Sequence, residues 1–166
     1  LMLEIIEHLL RPEEFSEQLN RVSGMAQDTK FIVSTGNVAF IIIRLMVLLG
    51  QFNYGKRGIL DLTHTRLFTF STIRRLFEQS GFEVIEQRGV AAPFPMVLGT
   101  GWLPKMLFAV NRFMIRIWKE AFSYQIFMIV KPHPSLAGLL LSAETHSAER
   151  LNASYSDIIN HSVKST

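Results

Sequence analysis

Leu1-Met2-Leu3-Glu4-Ile5-Ile6-Glu7-His8-Leu9 opens the chain with an apolar run that meets three ionisable side chains. The run up to Leu3 reads as the end of a buried strand. Glu4, Glu7 and His8 then stand at i, i+3 and i+4, offsets that share one face of a helical turn. Two carboxylates and an imidazole so placed form a three-point ligand set for a divalent cation. Oxygen ligands favour Mg²⁺ or Mn²⁺, and an imidazole shifts the preference toward Mn²⁺, Fe²⁺ or Zn²⁺. The junction of strand and helix is also where open α/β sheets bind ligands. The alternative reading is a helix start with acidic residues favoured by the macrodipole and a surface histidine.

Downstream, Pro12-Glu13-Glu14 predicts a helix start, with Phe15, Leu19 and Val22 as its apolar stripe and Gly24 as its end. Residues 30–35 (KFIVST) read as a buried strand closed by Gly36-Asn37, which completes a parallel βαβ unit. The apolar segment 38–50 predicts a helix, either a lid over the site or a core helix. Residues 51–58 form a loop. Ser71 is the expected cap of a helix over 72–79, with Ile73, Leu76 and Phe77 inward and Gly81 after it. Residues 82–87 alternate as a strand, 91–104 read as a Pro/Gly-rich loop, and 122–130 as a final strand. Residues 132–166 read as a poorly ordered tail with one weak helix near 137–141.

The chain's 166 residues give one domain, with 48% apolar and 19% charged side chains. It has no cysteine, which excludes disulfides and thiolate metal sites. A net charge of +3 without a dense basic cluster argues against nucleic acid as a partner. The longest apolar run is interrupted by Arg44 and is too short to span a bilayer. No signal peptide is evident, so the expected location is cytoplasmic. The basic, aromatic stretch from Trp102 to Trp118 has two readings: a helix meeting anionic lipid, hence peripheral membrane contact, or a helix packed on the sheet.

Four stretches carry a resemblance. They are Leu3 to Leu9, Phe31 to Asn37, Gly58-Ile59-Leu60-Asp61-Leu62-Thr63-His64, and Leu76 to Phe82. In order and spacing they resemble the fourth strand, fifth strand, substrate loop and following helix-to-strand turn of class I S-adenosylmethionine (SAM)-dependent methyltransferases. The likeness covers residues 1–131, and the Glu-x-x-Glu-His cluster is similar to that of ubiquinone-pathway O-methyltransferases and small-RNA 2′-O-methyltransferases. It implies an α/β, partial Rossmann-like fold: the C-terminal half of the sheet, its last strand antiparallel, in spatial order first, second, fourth, third.

By the same resemblance Glu4, Glu7, His8 and His64 are metal ligands for Mg²⁺ or Mn²⁺. His64 and Glu7 act in catalysis, and Leu3 and Glu4 touch the SAM cofactor. A bound cation lowers the pKa of an acceptor hydroxyl, and a neighbouring His or Glu takes its proton. The family's Gly-rich loop and ribose-binding acid are expected upstream of Leu1. The expected substrate is a small or lipid-like hydroxyl compound. The competing expectation is a catalytically silent half-domain that serves as a binding or scaffolding module.

Overall fold

The computed structural model describes residues 1–23, 29–99 and 101–133, and not the side chains of Val97 and Leu98. The expected helix end at Gly24 and the tail helix at 137–141 lie outside the described residues. Four strands form one sheet: β1 (Met2–Leu3), β2 (Phe31–Gly36), β3 (Phe82–Val90) and β4 (Gln125–Pro132). Their spatial order is β1-β2-β4-β3. β1 runs parallel to β2, and β4 inserts antiparallel to both β2 and β3. This is the order and direction expected for the C-terminal half of a Rossmann-like methyltransferase sheet.

One face of that sheet is dry. Along β4 every second residue (Ile126, Met128, Val130, Pro132) is buried, while the alternate residues are half-buried. Against the dry face pack α3 (Phe70–Gln79), through Ile73, Leu76 and Phe77, and α1 (Pro12–Ser23), through Phe15 and Leu19. Val22, expected on the α1 stripe, is instead 78% exposed. Ser16 and Ser23 take buried positions of α1, each hydroxyl bonded to a carbonyl four residues back.

Several boundaries differ from expectation. Thr69 caps α3 rather than Ser71. Its Oγ1 accepts from the Thr72 amide at 3.2 Å while the Thr72 hydroxyl accepts from the Thr69 amide, a reciprocal box that a serine inside the first turn cannot make. Gly81 follows at φ 84°, the left-handed conformation that suits glycine after a helix. The Pro/Gly-rich 91–104 segment is not all loop: α4 (Phe94–Leu98) starts after Pro93, and α5 (Trp102–Ile117) takes up its last three residues. Proline tolerates first turns, which is where Pro95 and Pro104 sit. Phe122 belongs to a short helix, α6 (Lys119–Phe122), so the last strand starts at Gln125. Finally, α2 (Ile41–Leu48) is not a core helix: Ile43 is its only buried residue.

A second, smaller cluster of Phe40, Ile43, Ile59, Leu60 and Ala92 anchors α2 and the loop after it. Two buried asparagines tie this side together. Asn37 donates from Nδ2 to the carbonyls of Glu120 (2.9 Å) and Ser123 (2.8 Å). Asn111 accepts from the Ala92 amide and donates to the Phe122 carbonyl. Each closes backbone groups that a chain turn would otherwise leave unpaired.

Candidate metal centre

Three of the four proposed ligands meet at the end of β1. Glu7, His8 and His64 each offer one ligand atom, and these atoms lie within 4.8 Å of one another. Glu7 and His8 come from a 3-10 turn, Ile6–His8, that follows β1 directly. His64 comes from the loop before α3. That loop is stitched onto the turn: the amides of Thr65 and Arg66 donate to the Glu7 carbonyl at 2.9 and 3.1 Å, and the Thr65 hydroxyl donates to the Leu9 carbonyl at 2.7 Å.

Both imidazoles are fixed through the same atom. His8 Nδ1 bonds the Thr63 carbonyl at 3.1 Å, and His64 Nδ1 bonds the Ile59 carbonyl at 2.9 Å. A carbonyl only accepts, so each Nδ1 carries the hydrogen, and each neutral ring keeps its lone pair on Nε2. This is the outer support that metal-ligating histidines use. The rings stand edge to face with centroids 4.8 Å apart.

Glu7 is 1% exposed, and neither carboxylate oxygen has a hydrogen-bond partner among the described residues. Burial pushes its proton affinity up, and the neighbouring Glu4 charge adds to that. Its own backbone amide, then the Thr35 hydroxyl and His64, pull the other way. The Thr35 contact falls outside ordinary hydrogen-bond geometry, so Thr35 Oγ1 is left unpaired as well. A buried, unsatisfied carboxylate beside two imidazoles is a costly arrangement that a bound cation relieves. The donors therefore fit a divalent ion, with a closing movement: donor atoms around a tetrahedral ion stand roughly 3–3.5 Å apart.

Glu4 stands outside this group. Its backbone is in the left-handed region at φ 52°, so the chain reverses there instead of entering a helix, and the three side chains do not share one helical face. The Glu4 carboxylate accepts from the Ser34 hydroxyl at 3.0 Å. It still lines the same cleft, of about 260 Å³, together with His8, His64, Arg57, Asp61 and Tyr124. Leu3 is 47% exposed on β1 and is not among the residues that line this cleft.

Two contributors carried no role in the sequence reading. Asp61 Oδ1 accepts from the Thr63 amide at 2.8 Å and hydroxyl at 2.7 Å, which holds its carboxyl below the usual range and shapes the turn that carries His64. Asp-x-Thr was the available signal, as an Asx turn. Tyr124, whose phenol is pushed up by burial and then by Glu4, comes from the residue before β4. No local pattern marks it.

No protein-family model matches the chain, and no curated protein matches it. Among solved structures, one similar chain comes from the complex between the Haloferax volcanii Trm112 methyltransferase activator and a candidate methyltransferase. The identity is 15% and the TM-score 0.41, covering 79% of this chain and 52% of that one. This chain thus spans about half the length of that protein, and a likeness of this size establishes neither family nor activity.

Proposed function

We propose that the chain is the C-terminal half of a SAM-dependent O-methyltransferase domain with a divalent-metal centre at Glu7, His8 and His64. The observation that carries the reading is the buried, unpaired Glu7 carboxylate facing two histidines whose Nδ1 atoms are already engaged, at the carboxyl end of parallel β1 and β2. Two nitrogens and one oxygen suit Mn²⁺, Fe²⁺ or Zn²⁺ better than Mg²⁺.

When bound, the cation would lower the pKa of the acceptor hydroxyl, and SAM would supply the methyl group. The chain's own residues do the rest. His8 and His64 hold their Nε2 lone pairs toward the cleft. Glu7, made more basic by burial, keeps a second carboxylate oxygen able to take the hydroxyl proton, while His64, with Nδ1–H on the Ile59 carbonyl and Nε2 given to the cation, would act as a ligand. Exposed Leu3 and the adjoining Glu4 lie on the β1 edge, where the other half of such a sheet would bring its cofactor pocket.

A lipid-like acceptor is supported by a second cleft of about 300 Å³. It is walled by Phe40, Ile43, Met46 and Leu60, and it shares Arg57, Gly58, Ile59 and Tyr124 with the first. An acceptor hydroxyl at the metal centre would leave its apolar portion running under α2.

The test is methyl transfer by the full-length protein to phenols with and without an alkyl tail. Chelation and His64→Ala should each lower transfer by roughly 10²-fold or more while SAM affinity stays unchanged. Transfer that survives both would remove the metal centre. A protein that binds SAM-free partners and transfers no methyl group would favour the scaffold reading.

A further inference from the structure

α5 has two apolar faces. The inner one packs on the protein: Pro104 and Asn111 are buried, and Leu107, Phe108, Met114 and Ile115 are half-buried. The outer one is bare. Trp102, Met106, Val110, Phe113 and Ile117 follow one another at offsets of four, four, three and four residues, which confines them to about 80° of the helix circumference. They are 75%, 45%, 51%, 61% and 64% exposed. Helix packing explains the inner face and gives no reason for the outer one.

Charge is segregated around this stripe. Lys105, Arg112 and Arg116, all exposed, run along one flank of it. Residues 91–118 contain no aspartate or glutamate, although the chain has 14 such residues. The same holds for residues 38–60, which carry Arg44, Lys56 and Arg57 and the exposed apolar side chains Leu45, Leu48, Leu49 and Phe52. The two regions adjoin, since the Arg44 guanidinium lies over the Trp118 ring at 5.4 Å from its centroid.

We propose that the outer face of α5, continued by α2, docks on an anionic lipid surface. An apolar, aromatic stripe flanked by cations and free of acids has the composition of a helix lying in a bilayer interface, with aromatic rings at headgroup level and cations reaching lipid phosphates. No helix among the described residues is long and apolar enough to cross a membrane, so the contact is with one leaflet. The rest of a methyltransferase sheet does not fit as the occupant. It would join at the β1 edge, whereas α5 lies by β3 at the opposite edge, with Ile115 against Gly89. The docking surface stands independently of the methyltransferase reading.

The experiment is flotation of the 166-residue chain with vesicles of phosphatidylcholine alone and of phosphatidylcholine mixed with phosphatidylglycerol. Binding should need phosphatidylglycerol and weaken as salt is raised. Phe113→Ser with Ile117→Ser, and separately Arg112→Glu with Arg116→Glu, should each cut partitioning by about tenfold or more, with unchanged far-ultraviolet circular dichroism. All four positions are exposed, so the fold should tolerate both pairs. Absence of binding, equal binding to both vesicle types, or binding that either pair leaves intact overturns the proposal. So does self-association lost with Phe113→Ser, which would make the stripe a contact between copies. Binding only after removal of residues 134–166 would show that the chain's own C-terminal segment covers it, and would overturn it equally.

Discussion

At the scale of single residues, Glu7 sets the electrostatics of the site. In the metal-free chain its raised proton affinity means that the folded state holds a proton that the unfolded chain releases. Stability therefore falls as pH rises from the ordinary carboxylate value of about 4.3 up to the raised folded value, and is level above it. Glu7→Gln removes the buried charge. It should raise the melting temperature at neutral pH by about 2–4 °C or more, with the gain shrinking as pH falls toward the ordinary carboxylate range. A thermal melt series across pH checks this. The spacing of Glu7 and His8, and the likeness that added His64, were legible in the sequence. The departure of Glu4 was not: its positive φ goes with an amide that donates to the Ser34 carbonyl and a carboxylate that accepts from the Ser34 hydroxyl, and Ser34 lies on another strand.

At the scale of elements, periodicity located α1, α3, β2 and β3, because each has one face against the same core. It failed where neighbours decide. The capping box at Thr69 depends on Thr72 turning back. The β4 start depends on Asn37 and Asn111 holding the 118–124 corner, with the Asn37 backbone amide donating to the Tyr124 carbonyl. α2 read as either a lid or a core helix because a sequence cannot show which of its apolar side chains meet a neighbour, and in the structure Ile43 is the one it buries. β3 also breaks its alternation past a bulge between Val84 and Glu86, where Glu86 and Gln87 are both half-buried. Near the end of β3, Gly89 has no room for a side chain: an added Cβ would overlap Ser123, part of the corner before β4. Gly89→Ala should cost about 1–3 kcal/mol in urea denaturation, mainly as a lower midpoint. An unchanged midpoint would mean that the corner moves freely against β3.

At the scale of the whole molecule, the sheet order β1-β2-β4-β3 and the antiparallel last strand agree with the reading of the sequence. They were legible because strand order in this kind of fold follows from the order of motifs along the chain. The consequence is positional: a two-residue edge strand, a tight 3-10 turn and a distant loop are brought together at one end of the sheet, and Glu7, His8 and His64 meet only through that assembly. Calorimetric titration of Mn²⁺ and of Zn²⁺ into the 166-residue chain addresses that centre without requiring turnover. One ion per chain should bind, at least about tenfold more weakly after His64→Ala or Glu7→Gln, and with nearly unchanged affinity after Glu4→Ala. Lack of saturable binding, or affinity that His64→Ala and Glu7→Gln leave untouched, would contradict the assignment of Glu7, His8 and His64 as a metal centre.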